Sequence, residues 1–169
     1  MIRPVPLAAA CLAALALSGC MGMSRSSTVQ PLAADWTANG RISEIVLTRQ
    51  PTLKVTPQFD GIFRSHVQAK LDACAKGTRP LKLEASLERL DKANPVLTTL
   101  VAGANVLRGS ARLVDVATGQ VVADYKVGKT IVGGRFAIIV MGQAEEQLSD
   151  AFGDELCKQA FIPPKVAAK

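Results

Sequence analysis

Leu81-Lys82-Leu83-Glu84-Ala85-Ser86-Leu87-Glu88 alternates apolar and polar side chains without a break. Successive residues of a strand point to opposite faces, so this run reads as a strand with one buried and one wet face. It predicts a sheet covered on one side only. On its C-terminal side, residues 106 to 116 place Leu107, Gly109, Ala111 and Leu113 on one face and Arg108, Ser110 and Arg112 on the other. After the Thr118-Gly119 turn, Val121, Ala123, Tyr125 and Val127 alternate with Val122, Asp124 and Lys126, and the two runs make an antiparallel hairpin.

On the N-terminal side of the opening run lies a helix. Thr56-Pro57 supplies an N-cap and a proline at the first helical position, where its missing donor costs nothing. Phe59, Ile62, Phe63, Val67, Leu71 and Cys74 then recur at helical spacing, and Gly77 closes the element. Before it, residues 42 to 48 read as the first strand. Leu53 to Val55 is its continuation beyond Pro51 or a second short strand. A long closing helix is predicted from about Arg135 to Phe161, with Ile138, Met141, Ala144, Leu148, Ala151, Phe152, Leu156 and Ala160 as its stripe. Its glycines, Gly142 and Gly153, each weaken it by about 1 kcal/mol relative to alanine, so packing must hold it. The fold class is α+β, a two-layer sandwich: an antiparallel sheet with two helices on one face, in the order β-α-β-β-β-α.

The chain has 169 residues and a formal net charge of +6, enough for one domain with a real core. Its basic residues alternate with acidic ones and form no run, which argues against a nucleic-acid partner. No nucleophile, base and orienter can be assembled, so no catalytic residues are assigned and the chain is expected not to be an enzyme. His66 sits at the edge of the helix stripe as a boundary residue with a hydrogen bond. Glu145 and Glu146, adjacent on a helix, do not share a face and read as solvated surface. No metal or cofactor site is expected, since carboxylates at ligand spacing flank neither Cys74 nor Cys157.

The amino terminus carries Arg3, an apolar run from Leu7 to Leu17, and then Leu17-Ser18-Gly19-Cys20. The run is shorter than the roughly 20 apolar residues of a membrane span and reads as a signal-peptide core. The four residues form a lipobox and resemble those of bacterial lipoproteins. The resemblance implies cleavage before Cys20 and acyl chains, palmitate among them, on that cysteine. The alternative is an ordinary cysteine behind a cut at the alanines of residues 8 to 14. On the first reading residues 1–19 are signal peptide, 20–40 a serine-rich lipidated tether, 41–162 a single domain and 163–169 a tail. Met21 stands where the lipoproteins of enteric bacteria that stay in the inner membrane have aspartate. This tilts the location towards the outer membrane, facing the periplasm.

Cys74 and Cys157 remain in the domain and form either a disulfide or two separate buried thiols. An oxidising compartment favours the bridge, at about 4 kcal/mol for a loop of this length. Trp36 lies in the tether and either meets the membrane interface or packs on the domain. Residues 95 to 107, with Val96, Leu97, Leu100 and Val101, lack alternation. That stretch is buried on both sides or forms an exposed apolar lip for a partner or the bilayer.

The run from Ala111 to Val122, with Gly133-Gly134 and the closing helix, resembles small bacterial lipoproteins with a domain of the curli-assembly or Tol-system amino-terminal type. The resemblance implies an accessory or scaffolding role, docking onto envelope protein partners in assembly or transport. The alternative is an adaptor that carries a lipid or another apolar ligand for a transport system.

Overall fold

The computed structural model describes residues 21–93, 103–133 and 143–162. In chain order these are β1 (Met21–Ser24), β2 (Ser27–Gln30), α1 (Ala34–Asn39), β3 (Gly40–Arg49), α2 (Phe59–Cys74), β4 (Arg79–Asp91), β5 (Gly103–Asp115), β6 (Val121–Gly133) and α3 (Ala144–Ala160). The strands make one sheet in the order β1-β6-β5-β4-β3, with β2 also pairing with β6.

The central strands follow the alternation of their sequences. Leu81, Leu83, Ala85 and Leu87 of β4, Leu107, Ala111 and Leu113 of β5, and Ala123, Tyr125 and Val127 of β6 all join one core. Helices α2 and α3 cover that face with Phe59, Phe63, Val67 and Leu71 from one and Leu148, Phe152 and Leu156 from the other. Phe63 and Phe152 meet edge to face with centroids 5.1 Å apart. The opposite face of the sheet carries Lys82, Glu84 and Ser86 opposite Val114, Arg112 and Ser110. The fold is thus an α+β sheet with its two long helices on one side.

Two features depart from the expectation. The sheet is mixed, because β3 and β4 pair in parallel, with Ile45 opposite Leu83 and Leu47 opposite Ala85. A helix between two adjacent strands carries the chain back to its starting end, and the second strand must then run the same way as the first. Residues 21–40, read as a tether, hold β1, β2 and α1: Met21 to Ser24 pair with Val132 to Lys129, and Ser27, Thr28 and Gln30 with Lys126, Tyr125 and Asp124. These strands attach through backbone bonds and have no apolar alternation by which a sequence would betray them. Helix α3 is described from Ala144 onward, so residues 135–142 of the predicted closing helix lie outside the described residues.

Helices α2 and α3 run side by side in the same direction. Cys74 and Cys157 are joined as a disulfide at their C-terminal ends, with Cα atoms 5.9 Å apart, and Thr56 meets Glu145 at their N-terminal ends. Gly153 makes the close approach possible, since a Cβ there would lie 2.6 Å from Lys70 Cβ. The glycine that weakens an isolated helix is what lets the two helices touch.

Candidate functional site

The described positions that flank the candidate residues Cys20 and 96–101 lie at one end of the sheet. Met21 pairs with Val132, Gly103 with Gly133 and Asp91 with Val106, so the start of β1, the end of β4, the start of β5 and the end of β6 share that end. Lys92, just past β4, reaches Glu145 in the first turn of α3 at 2.9 Å, which places the start of α3 there too. Cys20 directly precedes Met21 and lies outside the described residues, as do Val96, Leu97, Leu100 and Val101. The chain positions flanking them, Met21, Ala93 and Gly103, fall at the same end.

Two buried carboxylates organise α3. Glu145, read as solvated surface, is only 5% exposed. It accepts hydrogen bonds from the Thr56 amide at 2.9 Å, the Thr56 hydroxyl at 2.6 Å and Lys92 at 2.9 Å. Burial alone disfavours its charged form, but the bonds from Thr56 and Lys92 outweigh that and hold its carboxyl below the usual range. Thr56 is therefore not the N-cap of α2, which starts at Phe59 after Gln58. Its hydroxyl is committed to α3. Adjacent acids on a helix gave no sign of this, because the partners come from residues 56 and 92.

Glu155, 4% exposed, faces the amino-terminal strands. It accepts from Ser24 Oγ at 2.5 Å, Ser26 Oγ at 3.3 Å, Lys129 Nζ at 2.8 Å and Lys158 Nζ at 3.4 Å. Here too burial works against ionisation, and the bonds from Lys129 and Ser24 with the charges of Lys129 and Lys158 lower the pKa. The carboxylate clasps residues 21–30 onto the domain. Just beyond, Leu32 enters the core and its amide donates to the Tyr125 hydroxyl at 2.9 Å.

Trp36 packs on the core, half buried, with the Arg79 guanidinium 3.5 Å from its ring centre and Asp35 paired to the same arginine. His66 Nδ1 lies 3.0 Å from Asp150 Oδ1 at the α2–α3 boundary, with Lys70 4.0 Å from the same aspartate. Among the described residues, no group of three or more His, Cys, Asp or Glu side chains could hold a metal ion. No described helix is long and apolar enough to cross a membrane.

No protein-family model matches the chain, and no curated protein matches it. Solved structures do. PelC from Paraburkholderia phytofirmans, a dodecamer, superposes with a TM-score of 0.51 at 17% identity over 83% of this chain and 99% of its own. A protein from Xanthomonas campestris assigned to the DUF330 family gives 0.45 at 14% identity, over 79% of this chain and 93% of its own. A Caulobacter crescentus protein provisionally described as a lipoprotein gives 0.41 at 14% identity, over 66% and 85%. At such identity the PelC match is a likeness of fold alone, and the other two are looser still. None of the three is described as a curli-assembly or Tol-system protein.

Proposed function

We propose that this chain is a lipid-anchored envelope lipoprotein without catalytic activity, held to a bilayer by acyl chains on Cys20 and docking onto protein partners in envelope assembly or transport. One observation supports it most: Met21, the residue after Cys20, and Ala93 and Gly103, on either side of residues 96–101, lie at one end of the sheet. Acyl chains and the apolar side chains of Val96, Leu97, Leu100 and Val101 would then act on the same side of the domain. The outer membrane is the proposed bilayer, on the sequence argument from Met21. A protein partner fits better than a carried apolar ligand, since a described cavity such as that between Thr52–Lys54 and Glu88–Lys92 is lined largely by charged side chains.

Cys20→Ala should leave the precursor uncleaved and unlipidated, read by mass and membrane fractionation. Normal maturation and membrane association of that variant would end the anchor reading. Leu100→Asp separates an exposed apolar lip from a buried strand. The lip reading expects nearly unchanged thermal unfolding and loss of the proteins recovered by mild-detergent extraction. A buried Leu100 would instead leave an unpaired carboxylate in the core at a cost of several kcal/mol.

A further inference from the structure

The open face of the sheet is mostly self-neutralised. Lys82 pairs with Glu84 at 2.7 Å and Arg112 with Asp124 at 3.5 Å. One notch breaks the pattern. Arg108 of β5 stands directly opposite Gly128 of β6, and on the far side of Gly128 its carbonyl accepts from the Arg25 amide at 2.8 Å. The row from β5 through β6 to the β1–β2 connection therefore reads arginine, glycine, arginine. With no side chain at 128, an open notch of about 280 Å³ lies there, and Lys126 and Glu88 complete its walls. Neither Arg25 nor Arg108 has an ion pair or a side-chain hydrogen bond among the described residues, and Lys126 is only 3.8 Å from Glu88. Three cations thus face a single carboxylate, and that carboxylate is itself half exposed.

We propose that this notch binds a phosphoryl oxyanion. Each guanidinium is a planar fork of donors that matches two oxygens of a phosphate, and two forks with an ammonium on the same notch suit a group offering several oxygens around one centre. A lone carboxylate would be saturated by one of the arginines. Arg25 and Arg108 flank Gly128 from opposite sides, so their backbones stand roughly two strand spacings of about 4.8 Å apart, a gap that two extended arginine side chains are long enough to span. Bound phosphate would also bridge the amino-terminal strands, through Arg25, to the body of the sheet, through Arg108 and Lys126.

The phosphate is either free or carried by a lipid headgroup. Arg25 is five residues after Cys20 and, with β1 extended, stands up to about 18 Å from it, so a headgroup of the anchoring bilayer meets the notch when the open face of the sheet turns toward that bilayer. The headgroup source rests on the anchor reading; the notch itself does not.

Phenylglyoxal, which modifies free guanidinium groups, tests the notch in the full-length protein, with sites read by peptide mass spectrometry. In nonionic detergent, inorganic phosphate should slow modification of Arg25 and Arg108 at least about fivefold relative to sodium chloride of equal ionic strength. Arg41 and Arg64, in the same sample, should not change. Lys126→Gln should remove most of that protection, while Lys82→Gln should keep it. In nanodiscs of phosphatidylcholine with phosphatidylglycerol, protection absent from phosphatidylcholine alone would identify the headgroup as a source. Equal slowing at all four arginines, or no protection by phosphate or by phosphatidylglycerol, overturns the proposal. If the protein proves unlipidated, the anchor reading fails and the detergent measurement still decides the notch.

Discussion

Strand β6 is flanked on one side by β5 and on the other by β1 and β2, and the two flanks are held by different means. β5 turns Leu107, Ala111 and Leu113 into the core at zero exposure. In β1 and β2 the described side chains are exposed, Met23 at 47% and Val29 at 60%. That flank is fixed by backbone pairing and by the Ser24 and Ser26 bonds to Glu155. A strand can therefore be part of this sheet without contributing to its core, provided one buried carboxylate ties it down.

The largest effect should come from the core side. Leu113→Ala removes a fully buried side chain from β5 and should cost about 2–5 kcal/mol of global stability, measured by denaturant unfolding. A loss within about 0.5 kcal/mol would mean that β5 is held as weakly as its counterpart. Next comes the clasp. Glu155→Gln weakens charge-assisted bonds worth about 1–3 kcal/mol, and hydrogen exchange should speed up at residues 22–30 while the amides of β5 keep their protection. Uniform exchange across both flanks would show that the amino-terminal strands open only with the whole domain.

Acid should act on the same clasp and on Glu145. Both carboxyls have pKa values below their ordinary one in the folded chain. Their stabilisation is therefore fully present above the unfolded value, about 4.3, and is lost as pH falls through the lower folded values. Unfolding followed against pH should steepen below about pH 4, and Glu155→Gln should flatten part of that dependence. The smallest effect belongs to Val29→Thr, an exposed strand residue, which should change stability by no more than about 0.5 kcal/mol.

Where side chains alternate between core and water, the chain announced its own structure. The faces of residues 81–88, 107–113 and 121–127, the apolar stripe of α2 and the turn at Gly119 were all legible, because burial of every second or every third to fourth side chain is what stabilises them. The two-helix cover and the α+β class follow from that pattern. Other features were not legible. The strands at 21–30 pair through backbone groups that every residue carries, so polar, serine-rich sequence gave no sign of them. The parallel β3–β4 pair depends on which strands become neighbours. Glu145 and Glu155 are buried by partners 89, 53, 131 and 26 residues away, and the Arg25–Gly128–Arg108 row is drawn from two strands and the β1–β2 connection. Periodicity is a local property, written in consecutive residues by the solvent each must face; a clasp or a notch is a meeting of distant residues, and only the folded chain brings them within hydrogen-bonding distance.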